Sequence, residues 1–216
     1  MSSWAKTERA DLAATLHELG SQAPTLCGNW RALELVSHLV LRASRLDGLI
    51  GIVLPVAAGY TQRLQRQLEQ RYGFDGLVQR FAAGSPLWHP LAIPALDEAA
   101  NVVEYFVHHE DLRRAATTWK PRELQPGHQA ELWNRTRRLA KVLVRQATPL
   151  HLVAPGYGEL LLPARSAVGN VAPLTTVSGL PSELVLFCYG RQAHSLADVS
   201  GDPERIAAVK AAKLGL

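Results

Sequence analysis

The chain has 216 residues, 47% of them apolar and 19% charged, with a formal charge of +4 and a pI of about 9.3. That is globular composition, long enough to bury a core without covalent staples, and two cysteines, Cys27 and Cys188, give no disulfide framework. The basic residues are scattered, and the densest group (Arg135, Arg137, Arg138, Lys141 and Arg145) lies on a helical stretch with only Trp133 beside it, which reads as a solvated face and not as a nucleic-acid surface.

The N-terminal segment Met1 to Gly20 carries Glu8, Arg9 and Asp11 inside an amphipathic pattern, unlike an export signal. The most apolar stretch, Leu49 to Ala58, contains Pro55 and is shorter than the roughly 20 residues of a membrane span. The expectation is a soluble, cytoplasmic protein that engages neither membrane nor nucleic acid.

In chain order, Trp4, Leu12, Ala13, Leu16 and Leu19 mark one face of a first helix over Ser2 to Gly20, with Gly20 as its C-cap. Asn29 is the expected N-cap of a second helix from Trp30 to Leu46. Gly48 to Pro55 breaks the pattern, a third helix runs from Gly59 to Tyr72, and a short one covers Asp75 to Ala82. Gly84 to Pro94 reads as a long loop, followed by helices over Asp97 to Ala116 and Gly127 to Gln146. A four-helix bundle is the natural packing for residues 1–147.

The character then changes. His151 to Pro163 reads as two short strands around Gly156, Tyr157 and Gly158, and Ala172 to Val177 as a third. Pro181 opens a helix to Tyr189, Gln192 to Val199 suggests another strand, and Pro203 to Ala212 forms a last helix capped by Gly201 or Asp202. The expected fold class is therefore α+β: an N-terminal bundle, residues 1–147, and a small α+β domain, residues 148–216.

Chemistry concentrates in two helices. Glu104 and His108 are four apart and stack on one helical face, where one carboxylate oxygen and one imidazole nitrogen reach a common ion at about 2 Å each. The pair alone is also a plain surface ion pair. His38, among Leu35, Leu39 and Leu41 in the second helix, is by itself a satisfied core histidine; with Glu104 and His108 it completes a set of three ligands that leaves positions open. Asp111 lies near the face of His108 and is placed to orient it. Cys27 reads as a packing residue, with a thiol activated by the following helix N-terminus as the alternative. His89 is either a plain loop residue or part of the site mouth.

The run Pro24, Thr25, Leu26, Cys27, Gly28, Asn29, Trp30 leading to His38 and Leu39, and the run from Glu104 through His108 to Arg114, resemble the metal-binding domain of mycothiol-dependent maleylpyruvate isomerase, one of the DinB-like four-helix bundles. Leu180 to Arg191 and Val199 to Pro203 resemble that family's small C-terminal domain. The resemblance implies a divalent metal held by His38, Glu104 and His108, zinc by ligand type with nickel, manganese or iron as alternatives. It also implies mycothiol as co-substrate, with thiol transfer to, or isomerisation of, a small electrophile. Arg191 is then a candidate to clamp an anionic group of the cofactor near a domain interface, or else a structural arginine. A metal-dependent hydrolase and a non-catalytic metal- or ligand-binding protein stay open, as does a homodimer. No catalytic acid or base is identifiable.

Overall fold

The structure is a computed structural model that describes residues 3–44, 58–163 and 174–215. It is α+β, with seven α-helices and a four-stranded mixed sheet among the described residues. The chain divides into two compact units, residues 1–121 and 122–216.

The first unit is helical. Helix α1 (Trp4–Leu19) starts where the Ser3 hydroxyl accepts from the Lys6 amide and stops at Gly20, whose φ of 77° ends the helix as expected. Helix α2 (Ala32–Ser44) begins later than Asn29 would place it. Glu34 reaches back to accept from the Arg31 amide at 2.9 Å, one half of a capping box, so Arg31 and not Asn29 is the boundary residue. The far end expected at Leu46, and the break over Gly48 to Pro55, lie outside the described residues. Helix α3 (Ala58–Ala83) joins the third and the short helix of the sequence pattern, with Gly73 at φ 60° between them, a conformation that glycine tolerates. Helix α4 (Pro94–Arg113) starts a turn earlier than Asp97, because Pro94 at the first helical position is preset for the helix.

Helix α1 packs on α3 and α4, and α2 packs on α3. The unit's core includes Leu12, Leu16, Leu35, Leu39, Phe81 and Phe106, each essentially without exposure. Phe81 and Tyr105 meet edge to face at a centroid distance of 5.2 Å, an arrangement that adds about 0.5–1.5 kcal/mol to area burial.

In the second unit, helix α5 (Pro126–Leu143) packs on helix α6 (Pro181–Cys188). The expected boundary after residue 147 is thus displaced to Pro121–Arg122, and α5 leaves the helical unit to which its periodicity had assigned it. Its Trp133, Ala140 and Leu143 bury against strand and α6 residues such as Leu152, Val177 and Phe187. Strands β1 (Leu150–Ala154), β2 (Gly158–Leu162), β3 (Thr175–Ser178) and β4 (Asp198–Ser200) lie in the order β2-β1-β3-β4. The β1–β2 and β3–β4 pairs are antiparallel, and β1–β3 is parallel.

Alternation along β1 sends Leu150, Leu152 and Ala154 inward. The strand expected from Gln192 is shorter, because Gln192–His194 forms a 3-10 turn before β4. The part of the third strand expected at Ala172 and Pro173 lies outside the described residues. Helix α7 (Pro203–Ala211) is capped by Asp202, whose carboxylate accepts from the Glu204 and Arg205 amides. Arg137, Arg138, Lys141 and Arg145 are exposed, as a solvated helix face requires, and Arg135 pairs with Glu131. No helix among the described residues is long and apolar enough to cross a membrane.

Candidate metal centre

Every residue of the candidate centre belongs to the helical unit. Helix α2 presents His38, which is 7% exposed, and α4 presents Glu104 and His108 one turn apart. His38 Nε2 lies 3.5 Å from Glu104 Oε1, and His108 Nε2 lies 3.2 Å from the same oxygen. One donor atom from each of the three residues falls within 4.8 Å of the others. In a tetrahedral site with bonds of about 2.0–2.2 Å, neighbouring donors stand ~3.3–3.6 Å apart, so the two spacings to Glu104 Oε1 fit edges of such a site. Two imidazoles and a carboxylate are ligands that a borderline divalent ion accepts.

The far side of His108 is held as firmly. Its Nδ1 lies 3.1 Å from Asp111 Oδ2, and Asp111 has no exposure at all. With Nδ1–H donated to this carboxylate, the ring is oriented so that Nε2 faces Glu104 and His38. Asp111 therefore occupies the orienting position expected from its spacing.

Cys27 joins the same cluster. Its Sγ donates to Asp111 Oδ2 at 3.0 Å and lies 3.5 Å from His108 Nδ1. The thiol sits in the loop before α2, five residues short of Ala32. What positions it is the loop's own bonding. The Thr25 hydroxyl donates to the Trp30 carbonyl and accepts from the Cys27 amide, Pro24 and Arg31 form a β-bridge, and the Leu26 amide donates to the Asp111 carbonyl at 3.0 Å. Gly28, at φ 59°, allows the turn to close. The loop also lines a recess of about 240 Å³, one wall of which is Trp30, whose ring lies 5.1 Å from that of His38.

Arg42 is a neighbour that the sequence reading overlooked. It follows His38 by four residues, the same i, i+4 signal that linked Glu104 to His108, and so shares its helical face. Arg42 Nη1 lies 3.2 Å from Glu104 Oε1, and Nη2 donates to Asn101 Oδ1 at 3.4 Å. Asn101 in turn donates to Asp97, which pairs with Arg9.

These contacts set the protonation of the site. Burial holds the His38 imidazole below its usual value of 6.5 against the Glu104 hydrogen bond, which leaves a neutral ring suited to ligation. Burial pushes the Glu104 carboxyl up, but hydrogen bonds from His108 and His38 and the charges of His108 and Arg42 outweigh it, so the group stays ionised well below its usual range. Burial also favours a neutral His108, yet Asp111, Cys27 and Glu104 hold its proton well above 6.5.

The other candidates have structural explanations or stand in the second unit. His89 is buried, and its Nδ1 accepts from the Leu91 amide, capping a 3-10 turn over Pro90–Ala92. Arg191 belongs to the second unit, where its guanidinium donates to the Tyr189 carbonyl. Cys188 is fully buried on α6, and both cysteines are free thiols. No protein-family model, curated protein or solved structure matches this chain.

Proposed function

We propose that the chain is a divalent-metal-dependent enzyme of the mycothiol-dependent maleylpyruvate isomerase-like group, with residues 1–121 in the role of the DinB-like four-helix bundle. It would act on a small electrophile with a low-molecular-weight thiol, mycothiol by resemblance. The observation that carries this reading is the convergence of His38, Glu104 and His108 from two helices, with Asp111 fixing the His108 ring.

The ion, zinc by ligand type, would supply Lewis acidity that stabilises the thiolate form of the co-substrate near neutral pH. The chain's own residues do the rest. His38 offers a neutral nitrogen, His108 would offer its Nε2 once an ion displaces the proton there, and Glu104 offers the set's single negative charge. Arg42 beside Glu104 already offsets that charge, so the centre favours an anionic incoming ligand, as a thiolate is. The buried Asp111 keeps the His108 tautomer fixed while charge at the centre changes.

The test is consumption of a thiol by a panel of electrophiles over metal-loaded protein. Acceleration over background that disappears in His38→Ala supports the reading. Background rates throughout would overturn it, and turnover of esters or amides without added thiol would replace it with a hydrolase.

A further inference from the structure

We propose that Cys27 Sγ, Asp111 Oδ2 and His108 Nδ1 form a second metal site, selective for thiophilic d10 ions such as Cd2+ or Cu+, whose occupation excludes an ion from the His38–Glu104–His108 set. The exclusion rests on the reading of that first set; the thiophilic site does not.

The three donors are already assembled. Sγ to Oδ2 is 3.0 Å, Sγ to Nδ1 is 3.5 Å and Nδ1 to Oδ2 is 3.1 Å. With zinc's bonds of about 2.3 Å to sulfur and about 2.0–2.2 Å to nitrogen and oxygen, donor separations of ~3.3–3.6 Å are required, and a larger ion such as Cd2+ would spread the donors further. The loop that carries Cys27 is tied to α4 by the Leu26–Asp111 backbone bond, and Cys27 is half-buried, which leaves the ion a way in.

Charge and softness separate the two sets. A thiolate and a carboxylate neutralise a divalent ion completely, whereas the first set has one carboxylate with Arg42 already against it. Sulfur ligation favours thiophilic ions, and two imidazoles with a carboxylate favour borderline ones. On binding, the Cys27 thiol and His108 Nδ1 each give a proton to solvent, and sulfur–metal and nitrogen–metal bonds take the place of S–H and N–H.

The exclusion follows from the single N–H that an imidazole with one metal bond retains. With an ion on Nε2, the proton stays on Nδ1 and is donated to Asp111. With an ion on Nδ1, the remaining proton is on Nε2, where Glu104 Oε1 lies 3.2 Å away as acceptor. Either state leaves the remaining N–H satisfied, and occupation of both sites at once would require an imidazolate.

The test is a Cd2+ titration of metal-free, full-length protein, followed by the ultraviolet thiolate-to-cadmium charge-transfer band. The band is expected to saturate at one ion per chain, to persist in His38→Ala and Glu104→Gln, and to vanish in Cys27→Ser with an unchanged circular dichroism spectrum. Independently of any variant, Cd2+ should protect Cys27 from carbamidomethylation. No band in the wild type, a band kept in Cys27→Ser, a band lost in His38→Ala, or an unprotected Cys27 would each overturn the site. In zinc-loaded protein, Cd2+ should release zinc as the band grows; retention of both ions would overturn the exclusion. Protein that shows the band but never holds zinc would leave this site standing and remove the first reading instead.

Discussion

Asp111 and His108, three residues apart on α4, meet at 3.1 Å through Oδ2 and Nδ1, and the carboxylate is wholly buried. A buried carboxylate is costly unless it is paired, so this contact is as much a fixed part of the helix as a feature of the site. It dictates which nitrogen of His108 faces Glu104 and His38.

Asp111→Asn should therefore weaken metal binding with little change in fold. Outer partners of metal-bound histidines are typically worth about 10–100-fold in affinity. Competition with a chromophoric chelator measures the change, and an unaltered affinity would deny Asp111 its orienting part.

Arg42 acts in the opposite sense. Its guanidinium neutralises the oxygen that a metal would use, at 3.2 Å. Two like charges a few ångströms apart at an effective dielectric of about 20 repel by a few kcal/mol, so Arg42→Met should raise metal affinity by roughly tenfold or more. A drop in affinity, by the same chelator assay, would show that Arg42 holds Glu104 in place and does not compete for it.

The metal-free protein should be sensitive to pH on both sides of a window. The folded pKa of His108 is raised above 6.5, so its contribution to stability is complete below 6.5 and is lost as pH rises through the folded value. That of Glu104 is depressed below 4.5, so its contribution is present above 4.5 and is lost as pH falls through the folded value. Thermal unfolding of metal-free protein should show a Tm that declines from about pH 6.5 upward, and the decline should be shallower in His108→Gln. Equal slopes in the two proteins would place the alkaline loss elsewhere.

Cys188 offers a contrast with Cys27. It is fully buried on α6, and burial pushes its thiol up to about 12, so native protein should keep it protonated and unreactive. Alkylation followed by peptide mapping should label Cys27 in the native state and both cysteines after unfolding. Native labelling of Cys188 at a comparable rate would contradict its place in the core.

Much of this was legible in the sequence where the signal is local. Helices α1 and α4, the hairpin β1–β2 and the Asp202 cap follow from periodicity, a Gly-Tyr-Gly turn and side-chain capping. The i, i+4 spacing of Glu104 and His108 and the i+3 spacing of Asp111 likewise predict faces that the helix delivers. What escaped depends on tertiary choice. The amphipathic pattern of α5 states that one face is buried but not against what, and Trp133, Ala140 and Leu143 find the sheet and α6. Gln192 to His194 has no strong turn residue, yet it forms a 3-10 turn whose Gln192 side chain donates to the Ala212 carbonyl. Cys27 reaches Asp111 only because a loop folds back across 84 residues of sequence, a contact that no spacing rule encodes.

The most direct measurement is metal content by elemental mass spectrometry on untagged protein, for the wild type alongside His38→Ala, Glu104→Ala and His108→Ala. About one equivalent in the wild type, lost or strongly reduced in all three variants, is the predicted result for a three-ligand catalytic site. A wild type that holds no metal even after reconstitution would contradict the account, leaving the three residues as a buried polar cluster and removing the enzyme reading with them.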